Sequence, residues 1–347
     1  MTRTPSISRS HANGQWGRIV QAHGGGGQLT DALIQSTLLP RLGNAVLSDL
    51  LDSAVIATGR EKLVFTIDSY VVQPITFPGG DIGRLAVCGT VNDLSVCGGE
   101  PLGIALSLIL GEGLERRTLE RVIDSVARAS GEAGVPVVTG DTKVAGQGES
   151  ILITTAGIGV ARSDRPLHPS NAQPGDALLI NGPIADHGVA VMLARELPQV
   201  RSAVRSDVAP LNPMIAALLR EVPEIAFMRD CTRGGLASVA ADLAERCRRR
   251  VILDEEQIPI RPETRHAADM LGLDPLDVAN EGKVLLVVRP AAVEKAMAVL
   301  RSHPLGREAR VIGHVGDDTD GLCELRTIMG GRRVVQKPYG EQLPRIC

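Results

Sequence analysis

Residues 80–94 read G-D-I-G-R-L-A-V-C-G-T-V-N-D-L, a stretch rich in small residues with an acid near its start. This composition predicts a closely packed helix over about 81–97. Before it, residues 63–68 form an apolar run that ends in an acid, which predicts a buried strand. After it, residues 102–110 predict another strand. A strand, a helix and a strand in succession are typical of an α/β fold.

The same alternation continues along the chain. Residues 114–133 predict an amphipathic helix, and 135–141 and 151–160 predict two further strands. The turn-forming residues 168–176 then mark a domain boundary. Beyond them, the pattern predicts strands at 177–180, 284–288 and 310–315 and helices near 185–196, 211–221, after 233–235 and near 291–302. We therefore expect an N-terminal extension with a glycine-rich segment (1–42), two domains (43–165 and 175–329) and a C-terminal tail (330–347).

The composition excludes some classes of function. The 347 residues carry a formal net charge of −3, and only one Trp, two Tyr and three Phe. A nucleic-acid-binding protein needs a basic face and stacking rings, so this class is disfavoured. The longest apolar run, residues 104–110, is too short to span a bilayer. With no apolar segment near residue 1 that resembles a secretory signal, we expect a cytoplasmic protein with free thiols.

The chain ends in E-Q-L-P-R-I-C, so that its last residue, Cys347, is a thiol. Pro338, Gly340 and Pro344 forbid a continuing helix and favour an extended, mobile arm. The other cysteines lack zinc-site spacing, and most of them read as small buried hydrophobes. Cys347 is the exception, and it is a candidate reactive group on a swinging tail.

A run of four glycines, Gly24, Gly25, Gly26 and Gly27, is a candidate anion-binding loop. Consecutive glycines let backbone N–H groups approach a phosphate closely. The run lacks the Lys and Ser/Thr of a P-loop and does not join a strand to a helix, so a flexible linker fits the same residues equally well.

Acidic residues at predicted strand ends and turns are a second candidate site: Asp68, Asp93, Asp141 and Asp230. Magnesium prefers carboxylate oxygens and often bridges them to phosphates. Each acid taken singly fits a helix cap or a turn as well. Two further residues are chemically poised, Lys143 in G-D-T-K and Glu281 in A-N-E-G-K, although a structural salt bridge explains either of them.

One family carries this whole set of motifs. In order along the chain they are H-G-G-G-G at 23–27, F-T-I-D-S-Y-V-V-Q-P at 65–74, residues 80–94 quoted above, V-V-T-G-D-T-K-V at 137–144, M-R-D-C-T-R-G-G-L at 228–236, A-N-E-G-K at 279–283 and P-R-I-C at 344–347. Nearly the whole chain thus resembles the HypE hydrogenase maturation factors, which are carbamoyl dehydratases of the AIR-synthase-like (PurM-like) ATP-binding superfamily. The P-R-I-C ending separates them from other members of the superfamily.

The resemblance implies a two-domain PurM-like α/β fold and a homodimer whose N-terminal sheets form a shared barrel. It implies ATP and Mg²⁺ held by the four glycines, by the acids at 68, 93, 141 and 230, and by Asn92 in the same motif as Asp93. It also implies that Cys347 carries a carbamoyl group, with Glu281 as the base and Lys143 neutralising developing charge.

The reaction implied by the resemblance is an ATP-dependent dehydration of S-carbamoyl to S-cyanate on Cys347. The carbamoyl group would come from the carbamoyltransferase HypF, and the cyanide would pass to iron on a HypC–HypD scaffold. Two other functions fit the residues. One is a small-molecule kinase, for which Cys347 is irrelevant, and the other is a non-catalytic adaptor that uses its thiol for docking.

Overall fold

The computed structural model describes residues 23, 27–59, 61–148, 150–162, 166–340, 343 and 346–347. Two α/β domains follow one another, which confirms the predicted fold class. Gly24, Gly25 and Gly26 of the glycine run lie outside the described residues. Within the described ranges, no helix has the length and apolar character needed to cross a bilayer.

The N-terminal domain is built on one mixed sheet. Its elements in chain order are α1 (Gln28–Leu33), a π-helical turn (Ile34–Leu38), α2 (Leu39–Leu42), a 3₁₀ turn (Leu47–Asp49), β1 (Ala54–Ala57), β2 (Lys62–Tyr70), β3 (Thr76–Phe77), β4 (Gly80–Asp81), α3 (Ile82–Val96), β5 (Gly99–Glu112), α4 (Arg116–Ala133), β6 (Val137–Gln147) and β7 (Ile151–Ala161). The strand order is β1-β2-β7-β5-β6, and only β5 and β6 pair in parallel.

Helix α3 is the predicted small-residue helix, and its start is set by Asp81. The Asp81 carboxylate accepts hydrogen bonds of 2.9 Å from the backbone nitrogens of Gly83 and Arg84, which caps the helix. The helix packs tightly against β2, because a side chain at Gly89 would overlap the hydroxyl of Tyr70. Small residues therefore bring the backbone of α3 against the strand that carries Asp68.

The C-terminal domain is built on a second mixed sheet. Its elements are β8 (Ala177–Ile180), α5 (Asp186–Glu196), α6 (Asn212–Glu221), β9 (Ile225–Asp230), α7 (Gly235–Cys247), β10 (Val251–Asp254), α8 (Pro262–Leu271), β11 (Val284–Val288), α9 (Val293–Ser302), β12 (Arg310–Val315), β13 (Cys323–Arg326) and β14 (Arg332–Val335), with 3₁₀ turns at Pro169–Asn171, Glu255–Gln257, Pro290–Ala292 and Pro304–Gly306. The strand order is β14-β13-β10-β12-β8-β11-β9.

Helices cover both faces of this second sheet. Val284, Leu286 and Val288 of β11 pack in one cluster with α6 and α9, while Leu285 and Val287 pack in another with α7. Successive side chains of a strand point to opposite faces, so a strand covered on both sides needs apolar residues at every position. This is why β11 is a continuous apolar run.

Three predictions about elements are wrong. Asp68 and Asp141 lie inside β2 and β6, which continue to Tyr70 and Gln147, and so neither acid ends its strand. The segment predicted as tail contributes β14, which pairs with β13 through alternating contacts such as Cys323 with Val335. The tail therefore leaves the sheet only after Val335.

Candidate active site

A small, partly open cavity of about 20 Å³ lies where the two domains and the end of the chain meet. It is lined by Asp68, Ser69 and Tyr70 of β2, Gly89 of α3, Asp230 at the end of β9, Thr232 and Arg233 just beyond it, Glu281 in the loop before β11, and Cys347. A space of this size holds about one water molecule beside the thiol. The site brings a sulfur, three carboxyl groups and a guanidinium together in a small space.

The tail that delivers Cys347 is docked against the protein. Ile346 and Leu343 are buried in the same hydrophobic cluster as α3 and α5, and Cys347 is half-buried against it. The carbonyl oxygen of Ile346 lies 2.9 Å from Nε2 of His187. In this structure the predicted swinging arm thus ends inside the cavity.

Acids in the cavity and beside it repel one another. Burial, followed by the charge of Asp52, raises the pKa of Asp230 to about 8. Burial and the charges of Asp230 and Asp207 likewise raise the pKa of Glu281 well above its usual range. The pKa of Asp93 is raised well above its usual range too, by burial and then by Asp230. The nearby positive charges do not offset the mutual repulsion of these carboxyls, so all three pKa values are raised.

Arg233 supplies positive charge on the cavity wall. Its guanidinium lies 3.5 Å from Oδ1 of Asp68, and Tyr70 donates to the other oxygen of that carboxylate at 3.3 Å. The negative charge of Cys347 raises the pKa of Arg233, which burial alone would lower. Arg233 therefore links the end of the tail to the acids.

The loop that carries Glu281 is held from several sides. The backbone nitrogen of Glu281 donates to Oδ1 of Asp207 at 3.1 Å, and its carbonyl accepts from Asn92 Nδ2 at 3.4 Å and from the nitrogen of Ala209 at 3.3 Å. A side chain at Gly282 would overlap the backbone of Asp207. The A-N-E-G-K motif thus needs its glycine to bring Glu281 against residues 207–209.

The structure does not bring every predicted residue to the cavity. Asp141 and Lys143 are exposed on β6, where they form an ion pair of 3.4 Å with each other. Asn92 is buried, and its amide is used within the protein, since it bonds Ala209 and Glu281 and accepts from Leu211 at 2.7 Å. A cofactor-binding role for Asn92 would require these bonds to break. Gly27 contacts the tail, because a side chain there would overlap the carbonyl of Pro338.

The remaining acids fit a divalent cation in part. Over the parts of the chain that the structure describes, no three His, Cys, Asp or Glu side chains form a ready-made metal cage. Magnesium seldom needs one, because it takes one or two carboxylates plus phosphate and water oxygens. One oxygen of Asp230 is buried without a hydrogen-bond partner, as expected of a group awaiting a cation. Asp68, Asp93 and Asp230 therefore suit magnesium, whereas Asp141 lies away from them.

Several residues of the site were missed by sequence reasoning. Arg233 and Tyr70 lie inside quoted motifs, so their spacing beside Asp230 and Asp68 was an available signal. Asp207 and His187 gave no signal, because they reach the site only through long-range packing of α5 and the segment after it.

Comparison with known proteins first gives the class of protein to which the chain belongs. Residues 51–161 match the N-terminal domain of the AIR synthase related proteins, and residues 173–323 match their C-terminal domain. The carbamoyl dehydratase HypE of Cupriavidus necator is 44% identical over 334 residues, which cover 95% of each chain. The chain belongs to the HypE family of carbamoyl dehydratases, as its motifs predicted.

Solved structures agree with this placement. A hydrogenase maturation protein HypE in complex with ATP superposes with a TM-score of 0.79 at 41% identity, covering 95% of this chain and 100% of that one. A HypE–HypF complex superposes with a TM-score of 0.83 at 40% identity, covering 88% of this chain and 100% of that one. Family membership favours the dehydratase over the kinase and the adaptor.

Proposed function

We propose that this chain dehydrates a carbamoyl group carried on Cys347 to a thiocyanate at the expense of ATP, and so makes the cyanide ligand for hydrogenase iron. The observation that carries the proposal is that Cys347, at the end of a docked tail, lines the same small cavity as Glu281 and Asp230. A tail used only for disulfide exchange or docking to another protein has no reason to be enclosed among acids.

The dehydration must break the carbon–oxygen bond of the carbamoyl group, whose oxygen is a poor leaving group. Bound ATP, with magnesium, supplies the phosphoryl group that makes this oxygen leave as phosphate. The carbamoyl oxygen takes the phosphoryl group and ADP leaves. The carbon–oxygen bond then breaks, the nitrogen gives one proton to Glu281 and one to the departing phosphate, and S–C≡N remains on Cys347. Phosphoryl transfer of this kind needs positioning and charge neutralisation more than covalent help from the protein.

Glu281 is the base that takes a proton from the carbamoyl nitrogen. Its burial raises its pKa, and a carboxylate with a raised pKa accepts a proton more readily. Arg233, which follows the end of β9 and pairs with Asp68, is attracted by the negative charge of Cys347 and so holds the tail in place. The small volume of the cavity excludes bulk water, which would otherwise hydrolyse the activated group.

Asp68, Asp93 and Asp230 would hold the magnesium, and Gly24 to Gly27 would close over the phosphates of ATP. The raised pKa values of the three acids support this role, because a divalent cation would relieve their mutual repulsion. Gly27 also lies against the tail at Pro338, and the backbone nitrogens of Gln28 and Leu29 donate to the carbonyls of Pro338 and Tyr339. A nucleotide at the glycines would therefore adjoin the tail.

The functional unit is a homodimer in which Lys143 and Asp141 act across the interface. The face of the N-terminal sheet turned away from α3 exposes apolar side chains, with Ile67 64% exposed on β2 and Ile109 38% exposed on β5, where Ile109 is in register with Lys143 of the edge strand β6. A long exposed edge strand with apolar residues is a surface that proteins normally cover. A partner sheet would cover it and carry Lys143 toward a second copy's site.

HypF would load the carbamoyl group, and a HypC–HypD scaffold would receive the cyanide. Both transfers require Cys347 to leave the cavity, so the docked tail is one of two positions. All six cysteines fall in the described part of the chain, and no disulfide joins any two of them.

Mass spectrometry of the C-terminal peptide tests the proposal. The chain is incubated with HypF, carbamoyl phosphate, ATP and magnesium, and we expect the peptide to gain a carbamoyl group and then to lose water. Deleting Cys347 should abolish both changes. Two results together would instead indicate a small-molecule kinase. The variant without Cys347 would keep full ATP turnover, and the intact chain would form no thiocyanate.

A further inference from the structure

His187, in the first turn of α5, is a wholly buried histidine that contacts the tail and has no part in the chemistry proposed above. Its Nε2 atom lies 2.9 Å from the carbonyl oxygen of Ile346, and its Nδ1 atom lies 2.8 Å from Oγ of Ser206. Both ring nitrogens are therefore used, one by the residue before Cys347 and one by the protein.

The hydrogen bonds define which nitrogen carries the proton. The carbonyl of Ile346 only accepts, so Nε2 donates to it and Nδ1 accepts from the Ser206 hydroxyl. Oγ of Ser206 in turn accepts from the backbone nitrogen of Val208 at 3.1 Å. Burial lowers the pKa of His187, which keeps the ring neutral as this arrangement requires.

The orientation of the ring is fixed by packing as well. Phe77 meets the imidazole edge to face, with 5.3 Å between ring centroids and 85° between ring planes. The side chain of Ile346 is 3% exposed and belongs to the hydrophobic cluster that contains Phe77 and Val204. The tail thus contributes one apolar side chain and one carbonyl to this packed site.

We propose that His187, held in place by Ser206, is a positioning residue that docks the tail through the Ile346 carbonyl and so places Cys347 beside Glu281. The carbonyl carbon of Ile346 is bonded to the nitrogen of Cys347 in one planar peptide unit, so fixing its oxygen fixes the start of Cys347. Because the contact is to backbone, it is the same whether Cys347 carries a thiol, a carbamoyl group or a cyanate. The docking role stands on its own; its effect on catalysis rests on the proposed function.

Two substitutions separate the hydrogen bond from packing. His187→Leu fills the space but donates nothing, whereas His187→Gln places an amide N–H near the former Nε2. The readout is the rate at which a bulky maleimide labels Cys347, followed on the C-terminal peptide of the full chain. We expect Cys347 to be labelled about tenfold faster in His187→Leu. Losing the hydrogen bond costs the docked tail about 1.4 kcal/mol, which shifts the equilibrium between docked and undocked tail by that factor. We expect His187→Gln to restore most of the protection.

Cys247 is the internal reference, because it is half-buried at the end of α7, where its thiol contacts the carbonyl of Ala244 in the same helix. Faster labelling of Cys347 with unchanged labelling of Cys247 supports the docking role. Equal acceleration at both cysteines, wild-type labelling of Cys347 in His187→Leu, or a His187→Gln variant no better than His187→Leu would overturn it.

A second readout links docking to the reaction. After carbamoylation by HypF, a single turnover with ATP should form thiocyanate about tenfold more slowly in His187→Leu, while the carbamoylation step, which uses the undocked tail, keeps its rate. A wild-type chain that forms no thiocyanate contradicts the proposed function, and the labelling result still decides the role of His187.

Discussion

Lys283 donates a hydrogen bond of 2.8 Å from Nζ to Oδ2 of Asp207, and both side chains are almost wholly buried. The other oxygen of Asp207 accepts from the backbone nitrogen of Glu281. One carboxylate thus joins a buried ion pair to the loop that carries the proposed base. The pair is important for the position of Glu281 as well as for stability.

Removing the cation from this pair should destabilise the chain strongly. Lys283→Met leaves Asp207 buried and uncompensated, so we expect the free energy of unfolding in urea to fall by about 3–5 kcal/mol. As a matched control, Arg116→Ala removes an exposed ion pair with Glu120 on α4 and should cost about 0.5 kcal/mol or less. A Lys283→Met variant as stable as the control would show that the pair contributes nothing.

The same pair gives a pH dependence. Burial would raise the pKa of Asp207, but the adjacent Lys283 outweighs burial and holds the pKa below its usual value. A lowered folded-state pKa stabilises the protein above the unfolded value of about 4, and this stabilisation disappears as pH falls through the folded value. The wild type should therefore lose more stability than Lys283→Met in acid titrations below about pH 4.

The acids around the cavity should act in the opposite direction. Their pKa values are raised, to about 8 for Asp230, so the folded chain binds more protons than the unfolded chain. The free energy of unfolding should accordingly fall as pH rises from the unfolded value of about 4 toward 8. Thermal unfolding at several pH values, with and without magnesium and ATP, measures this slope.

Magnesium with ATP should reduce the fall of the unfolding free energy with pH, because the bound cation offsets the negative charges that form when the acids ionise. The stabilisation should be larger at the alkaline end and should reach about 2.7 kcal/mol at a hundredfold excess over the dissociation constant. Asp230→Asn should flatten the slope in the absence of magnesium and weaken the response to it. An unchanged slope in that variant would remove Asp230 from the charged cluster.

Periodicity and small-residue composition were enough to predict most of the elements that hold the site. The helix predicted over 81–97 is α3, Ile82–Val96, and Asp81, predicted as its first residue, is its cap. The strand at 284–288 was predicted with its bounds, because a doubly covered strand is apolar throughout. Acids on these elements could be identified from the family motifs.

Contacts made by irregular segments could not be predicted. Ser206 and Asp207 lie between α5 and α6 in a segment with no periodic pattern, and their partners His187 and Glu281 are distant in sequence. The docked position of Cys347 was missed for a related reason. Pro and Gly in the tail exclude a helix, but they do not predict where the side chain of Ile346 packs.

Replacing the proposed base should separate the two chemical steps. Glu281→Gln keeps the size of the side chain and removes its ability to accept a proton, so dehydration should slow by about 10²–10⁴-fold. Carbamoylation of Cys347 should proceed normally, and the carbamoyl peptide should accumulate in the mass spectrum. Glu263→Gln, an exposed carboxylate in the first turn of α8, is the matched control and should leave both steps unchanged. Dehydration at the wild-type rate in Glu281→Gln would assign the base elsewhere.

Mixed dimers test whether Lys143 acts across the interface. Lys143→Ala and Glu281→Gln should each inactivate a homodimer. In a mixed dimer, a site that takes Glu281 from one copy and Lys143 from the other is intact on one side, so coexpression at equal levels should recover about a quarter of wild-type thiocyanate formation, given a two-fold symmetric dimer. If Lys143 acts within its own chain, both sites of the mixed dimer carry a defect and nothing is recovered. The exposure of Lys143 on β6, with Asp141 3.4 Å away and the cavity elsewhere, leads us to expect recovery.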